Sequence, residues 1–195
     1  MTLRDKAYDV IKDRIINCVY PPGSLLSEKE IIEEIEVSRT PFREAINALQ
    51  QEGLVETIPR KGMYVTNITL KDISNLYEAR ETLETKAIEL SIKNIPKDVL
   101  KYYYTSMKAL KDIDNNMEEK EDLHKMILKY IDNSILERML NYLYMRNHRL
   151  SFLCGRDEKN LLITKEQHLK IAEHMMNQDV EGAKKAMLDH LRSSK

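Results

Sequence analysis

The segment VSRTPFREAINALQQEGLVETIPRKGMYV, residues 37–65, contains the pattern that decides the fold. Its apolar residues first recur at the helical spacing i, i+3, i+4 and i+7, at Phe42, Ala45, Ile46 and Leu49. Gly53 is a typical helix stop. Two short β-prone runs then flank Pro59-Arg60-Lys61-Gly62. The segment therefore predicts a helix followed by a β-hairpin.

Two further helices are predicted before this segment. The apolar residues between Ala7 and Cys18 have helical spacing, which predicts a first helix over residues 4–18. Ser27-Glu28-Lys29-Glu30 has the pattern of a capping box and predicts the start of a short second helix. Helix, helix, turn, helix and β-hairpin is the order of a winged helix-turn-helix.

The remainder of the chain has a different character. Four of the five prolines lie before residue 65, and the later sequence is long and periodic, without a strand pattern. It predicts an all-α bundle of about six helices, over residues 72–93, 97–113, 118–131, 133–153, 163–177 and 180–193. The predicted fold is mainly α, with domains at residues 1–68 and 69–195.

Composition narrows the class of protein only in part. The net charge is −1, and residues 1–70 carry nine Lys/Arg against eleven Asp/Glu, so any DNA contact must depend on where the charges lie. The sequence shows neither an apolar run long enough to span a membrane nor a signal-peptide core. We therefore expect a cytoplasmic protein that has no membrane partner.

The third helix presents a polar face opposite its apolar one, formed by Arg39, Thr40, Arg43, Asn47 and Gln50. Arginine and asparagine bond base edges, and serine and threonine reach phosphate oxygens. The helix N-terminus at Ser38 also favours a phosphate. Arg60 and Lys61 lie at the hairpin tip, where Gly62 allows close approach. The alternative is that this polar face is only exposed to solvent and binds no partner.

Residues 7–65 resemble the winged helix-turn-helix of the GntR superfamily of bacterial regulators. The matching residues are Pro21 to Glu28, Val37 to Ala45, Leu49, Glu52 to Val55 and Arg60 to Val65.

The resemblance implies roles for individual residues. Lys29, Arg39 and Arg43 take the main DNA-contact positions of the family, and Ser38 and Thr40 the phosphate positions. Gly62 would sit at the wing tip. The implied partner is double-stranded operator DNA, with the half-sites of a palindrome bound by a homodimer.

Three histidines in the second half lie on inward helix faces. His124 shares a stripe with Ile127, Leu128 and Ile131, His168 shares one with Ile171, Ala172 and Met175, and His190 flanks Ala183, Met187 and Leu191. Buried imidazoles that converge need a metal, an anion or other polar partners. Imidazole suits zinc, nickel, copper and iron.

Residues 72–193 resemble the FCD effector-binding domain of the FadR-like branch, through Leu76 to Arg80, Leu83-Glu84, Glu166 to Ile171 and Met187 to Leu191. The resemblance implies that His124, His168 and His190 are metal ligands, for a divalent ion such as zinc or nickel. The sequence departs from the family pattern at Lys120, which stands where an Asp is expected. Glu121 is the alternative fourth ligand. Without a metal, the histidines would bind an acidic effector directly.

Arg80 lies on the apolar stripe of its helix, where a charge needs a partner. Two interpretations remain open. It forms a salt bridge to a glutamate in the core or at an interface, or it binds an effector carboxylate through two parallel hydrogen bonds.

The function expected from the sequence is a DNA-binding transcriptional regulator controlled by a small molecule, such as a carboxylate, in the C-terminal domain. The alternative is a metal-dependent enzyme that uses the three histidines. We favour the non-enzyme because the sequence offers no convincing general base or nucleophile beside them.

Overall fold

A computed structural model describes residues 1–109, 122–154 and 158–194 of the chain. Within these residues it contains nine helices and one three-stranded antiparallel sheet. The chain divides into two compact units. The winged unit is Met1–Thr69 with Met145–Cys154, and the helical unit is Leu70–Tyr144 with Gly155–Lys195. The predicted fold, mainly α with a small wing, is confirmed.

Three helices lie entirely within the winged unit: α1 (Leu3–Ile16), α2 (Glu28–Ile35) and α3 (Arg39–Gln51). α1 begins with a capping box, in which Thr2 and Asp5 each accept a hydrogen bond from the other's backbone N–H. The backbone N–H of Glu30 donates to the Ser27 hydroxyl at the start of α2. α3 ends at Gln51, and Gly53 follows at φ 70°, where a glycine is unstrained.

The wing consists of strands β1 (Leu25–Leu26), β2 (Val55–Ile58) and β3 (Gly62–Val65), in the order β1–β3–β2. β2 and β3 form the predicted hairpin, with Val55 opposite Val65 and Ile58 opposite Gly62. Strand β1 was not predicted from the sequence. Two residues are too few to show the strand period, and β1 exists only through its pairing with β3.

The core of the winged unit lies between the three helices and the sheet. The apolar face predicted for α3 is confirmed, because Phe42, Ala45 and Leu49 are fully buried and Ile46 is 3% exposed. The other helices and the wing contribute Ala7, Ile11, Ile15, Ile31, Ile35, Leu54, Val55 and Val65. Burial of this surface provides the main stabilisation of the unit.

The helical unit contains α4 (Leu70–Ser91), α5 (Lys97–Ala109), α6 (Leu123–Leu128), the first part of α7 (Ser134–Cys154), α8 (Glu158–Met176) and α9 (Val180–Ser193). α9 packs against α4 and α8, α5 packs against α8, and α4 contacts α6. These contacts bring α4, α5, α6, α8 and α9 around a common interior.

Two helices, α6 and α8, have a bound that differs from its prediction by three residues or more within the described part. Residues 110–113, the predicted end of α5, lie outside the described residues. α6 is shorter than the predicted residues 118–131. Asp122 caps its start. After Leu128 the helix gives way to turns, in which the N–H groups of Tyr130 and Ile131 donate to the carbonyls of Ile127 and Leu128. Residues 118–121 lie outside the described part. α8 begins at Glu158, five residues earlier than predicted. The prediction started too late because Lys159 and Asn160 are polar and give no apolar period. None of the described helices is long and apolar enough to cross a membrane.

Replacing Leu49 with alanine tests the core of the winged unit. Leu49 is fully buried, so truncation leaves a cavity, and we expect the free energy of unfolding to fall by about 2–5 kcal/mol. Urea unfolding followed by circular dichroism measures the loss. Leu3→Ala is the matched control, because Leu3 is 56% exposed, and it should change stability by less than about 0.5 kcal/mol. Equal losses in the two variants would contradict this core.

Candidate functional site

The start of α3 has an unoccupied capping position. Ser38 is the N-cap residue, with an extended backbone at φ −86° and ψ 172°, yet its side chain forms no hydrogen bond to the helix. The first backbone N–H groups of α3 therefore have no side-chain acceptor from the cap. Together with the helix dipole, they favour an anion such as a phosphate.

Two arginines flank this helix start. The side chains of Arg39 and Arg43 are 82% and 66% exposed. The Glu28 carboxylate lies 3.9 Å from Arg39 Nε and 3.5 Å from Arg43 Nη2. Ion pairs this long and this exposed are weak, so both guanidinium groups remain available to another partner. Lys29, next to Glu28 at the start of α2, is also exposed.

The tip of the wing is formed by Pro59, Arg60 and Lys61, all exposed. Arg60 has a positive φ of 64°. Gly62 comes after the tip as the first residue of β3, half-buried, at φ 123°. Only glycine adopts that conformation readily, and an added Cβ would lie 2.8 Å from Leu25 Cδ1.

The wing is tied to α3 by one side-chain hydrogen bond, from Gln50 Nε2 to Thr57 Oγ1 over 2.9 Å. The structure thus places six of the predicted DNA-contact residues at the surface of the winged unit: Lys29, Ser38, Arg39, Thr40, Arg43 and Arg60.

In the helical unit, the structure brings the three predicted histidines together. The ring centroids are 5.1 Å apart between His124 and His168, 5.3 Å between His124 and His190, and 4.7 Å between His168 and His190. One ring nitrogen from each lies within 4.8 Å of the others. We call His124, His168 and His190 the histidine cluster. Its members come from α6, α8 and α9.

Each histidine of the cluster has a partner at its Nδ1 atom. His124 Nδ1–H donates a short hydrogen bond to Glu84 Oε2. His190 Nδ1–H donates to Gln167 Oε1 over 2.9 Å, and the Gln167 amide is itself oriented by its bond to Ser193 Oγ over 2.7 Å.

The third partner is the hydroxyl of Tyr103, which lies 3.4 Å from His168 Nδ1. Because all three Nδ1 atoms have partners outside the cluster, the Nε2 atoms are the ring nitrogens left to coordinate a metal inside it. His168 Nε2 and His190 Nε2 lie 3.4 Å apart. Three imidazole nitrogens at this spacing, each oriented by a hydrogen bond at its other nitrogen, fit a divalent transition metal.

Glu84 also forms a salt bridge with Arg80, one helical turn earlier in α4. Arg80 Nε donates to Glu84 Oε1 over 2.6 Å, and the two residues are 3% and 1% exposed. The first of the two interpretations of Arg80, pairing with a core glutamate, therefore matches the geometry. The Arg80 guanidinium also lies 5.3 Å and 6.0 Å from the ring centroids of Tyr77 and Tyr144.

The electrostatics of the cluster favour the neutral forms of His168 and His190, and the charged form of His124 beside the Glu84 carboxylate. Burial alone would raise the pKa of Glu84, but the charges of His124 and Arg80 outweigh it and lower this pKa to about 2. Burial opposes the charged form of His124 as well, yet the Glu84 carboxylate raises its pKa. Burial, with the nearby His124 charge, lowers the pKa of His168 to about 3. The pKa of His190 is well below its ordinary value, because of burial and the charge of His168.

Three members of this site, Glu84, Tyr103 and Gln167, were not predicted from the sequence. Glu84 carried a usable signal, because it follows Arg80 by four residues on a buried stripe. Tyr103 also had one, since it falls at i+3 between the buried Leu100 and Met107. Gln167 had none. Lys120 and Glu121, the two residues that bear on a fourth ligand, lie outside the described residues.

Comparison with known families matches both halves of the chain. The profile for bacterial regulatory proteins of the gntR family matches residues 3–65, and that of the FCD domain matches residues 75–193. The chain belongs to the GntR family. The resemblance expected from the sequence is confirmed on both counts.

Curated relatives of this GntR-family chain carry regulator names. It is 34% identical over 93 residues to the uncharacterised HTH-type transcriptional regulator YdhC of Bacillus subtilis, covering 48% of this chain and 42% of that protein. It is 34% identical over 82 residues to the HTH-type transcriptional repressor RspR of Escherichia coli, covering 42% and 36%. Each match spans less than half of the relative.

Solved structures share the fold over nearly the whole chain. A GntR transcriptional regulator from Rhodococcus sp. RHA1 superposes with a TM-score of 0.79 at 16% identity, covering 100% of this chain and 96% of that one. E. coli McbR/YncC gives 0.74 at 19% identity, covering 100% and 95%. At these identities the likeness shows the fold alone.

Proposed function

We propose that this GntR-family chain is a transcriptional regulator, and not an enzyme, that binds operator DNA through its winged unit and responds to a small molecule in its helical unit. The observation that carries the proposal is the start of α3, where exposed Arg39 and Arg43 flank a helix N-terminus without a side-chain cap. The regulator names of the relatives support it.

The proposed DNA contacts divide by chemistry. Arg39 and Arg43 bond base edges in the major groove, for which the guanidinium fork suits guanine. Ser38 and Thr40 bind phosphate oxygens together with the free N–H groups of α3. Lys29 and Arg60 contact the flanking backbone, and Gly62 lets the wing approach it closely. These phosphate contacts make the affinity fall as salt rises.

Arg39→Ala and Arg43→Ala test these contacts on a duplex selected by the wild-type protein from random sequences. Each substitution should weaken binding by about 1–3 kcal/mol, because it removes a base-edge contact. Fluorescence anisotropy at fixed salt measures the affinity. Arg4→Ala is the control, since Arg4 is an exposed arginine of the same unit, at the start of α1. If neither substitution at α3 costs more than the control, α3 does not read the DNA.

We also propose that the histidine cluster binds zinc or nickel through three Nε2 atoms. The buried charges of Arg80 and Glu84 cancel. A divalent ion held by neutral imidazoles therefore adds a charge of about +2 in a buried place. An anion is the natural complement, and the three imidazoles, with or without Glu121 as a fourth ligand, leave coordination positions for it. This supports a small carboxylate as the effector, with Arg80 beside it.

Metal analysis of His168→Ala tests the metal site. We expect wild-type protein to retain about one zinc or nickel per chain after dialysis, and the variant to lose it, because His168 supplies one of three ligand nitrogens. Plasma mass spectrometry measures the ratio. The control is His174→Ala, on the same helix but bonded to Asp179 outside the cluster. Equal metal content in all three proteins would place the metal elsewhere.

The proposed assembly is a homodimer, which supplies two recognition helices for a palindromic site. An exposed apolar stripe on α7, formed by Ile135, Met139 and Tyr142, supports it: these residues are 59%, 51% and 41% exposed. Met139 and Tyr142 line an apolar groove of about 350 Å³ together with Ala79, Leu83, Arg138 and Leu143. A face of this kind suits a second copy of the chain.

Met139→Glu tests this face. A charge in the middle of an apolar interface is costly to desolvate, so we expect the variant to be monomeric at concentrations where the wild type is a dimer. Sedimentation velocity gives the two masses. Leu70→Glu is the control, because Leu70 is 86% exposed and outside the groove. A dimer that survives in Met139→Glu would exclude the α7 stripe as the interface.

A further inference from the structure

We propose that Glu84 is the positioning residue of the histidine cluster, a buried carboxylate that fixes His124 with its Nε2 atom toward the metal and makes it the strongest of the three ligands. This inference rests on the proposed metal site. It concerns a residue outside the ligand set, on a helix that supplies no ligand among the described residues.

The geometry gives Glu84 two simultaneous contacts. Its Oε2 atom accepts the short hydrogen bond from His124 Nδ1, and its Oε1 atom accepts from Arg80 Nε over 2.6 Å. Glu84 is 1% exposed. A side chain held at both oxygens has little rotamer freedom, so the imidazole that it holds is fixed in orientation as well.

Glu84 differs in charge from the corresponding partners of the other two ligands. His168 has the Tyr103 hydroxyl at its Nδ1 atom, and His190 has the Gln167 amide oxygen. Of these three outer partners, only Glu84 is a carboxylate. A carboxylate at Nδ1 increases the basicity of the ring and hence the donor strength of Nε2. The three imidazoles are therefore unequal, and His124 binds the metal most strongly.

Arg80 has a matching role in this arrangement. An ionised carboxylate in a dry interior is costly unless it is paired, and Arg80 provides the pair. The same pairing occupies Arg80 Nε, so this atom does not bond an effector while Glu84 holds it. Arg80 thus acts on the metal site through Glu84, whatever its other nitrogens contact.

Glu84→Gln is the first test, because it keeps an oxygen acceptor for His124 and removes the charge. We expect the Kd for zinc, measured by competition with a chromophoric chelator, to rise about 10- to 100-fold. Glu81→Gln is the matched control: Glu81 lies on the same helix, one turn earlier, and pairs with Arg192 at 3.0 Å away from the cluster. The control should bind zinc as the wild type does.

A second variant covers the risk that Glu84→Gln leaves Arg80 without its carboxylate and unfolds the unit. Arg80→Gln with Glu84→Gln removes both charges and keeps two polar side chains of similar size. This double variant should fold, as judged by circular dichroism, and show the same loss of zinc affinity. Wild-type affinity in the folded double variant would overturn the inference.

A spectroscopic measurement separates positioning from a merely structural role. With Cu²⁺ in the site, pulsed electron paramagnetic resonance detects the remote nitrogen of each bound imidazole, and its quadrupole coupling depends on the hydrogen bond there. We expect one of three remote nitrogens to differ from the others in wild-type protein, and that difference to disappear in Glu84→Gln. An unchanged spectrum in the variant would overturn the inference.

The outcomes distinguish this inference from the proposal on which it rests. If wild-type protein binds no zinc, the metal site itself is wrong and the role of Glu84 fails with it. If wild-type and Glu84→Gln proteins bind zinc with equal affinity, the site stands and only the inference about Glu84 is overturned.

Discussion

The arrangement of the helical unit depends on one constraint, that polar groups enclosed by apolar helices must be hydrogen-bonded. Arg80, Glu84, His124 and His190 are all buried. Each finds a partner on another helix or one turn away, and these partners join α4 to α6 and α8 to α9. Burial of an incomplete set would cost several kcal/mol per charge, so the loss of one partner would destabilise the packing of these helices.

In the winged unit, the polar residues proposed to contact DNA meet the opposite requirement, since they must be available to an outside partner. α3 satisfies both demands by dividing its residues between two faces. Phe42 and Leu49 are fully buried and hold the helix in place, while Arg39 and Arg43 extend from the same backbone into solvent. A capping bond from Ser38 would stabilise the helix by about 1 kcal/mol, but it would occupy an N–H group that a phosphate can use. The missing cap bond thus lowers the stability of this turn and leaves the N–H group available to the proposed phosphate.

The sequence was sufficient for features that depend on the period of apolar residues. The buried face of α3, the hairpin and the inward direction of the three histidines all follow from local patterns in the sequence, and the structure confirms them. Contacts between residues of different elements could not be predicted from the period of apolar residues. His124 and Glu84 are 40 residues apart, and Gln167 meets His190 only because α8 and α9 are adjacent. Strand β1 could not be predicted for the same reason, since only its pairing with β3 defines it.

In the proposed metal site, Glu84 supplies an anionic group although Lys120 stands where the family resemblance implies an Asp. A carboxylate in the ligand set would cancel part of the metal's charge and take one coordination position. Glu84 stands behind His124 instead, where Arg80 already balances its charge. An ion bound by the three imidazoles would therefore keep more of its positive charge and more open positions. Both consequences would raise the affinity of a metal-loaded cluster for an anion, which is the property that the proposed carboxylate effector requires.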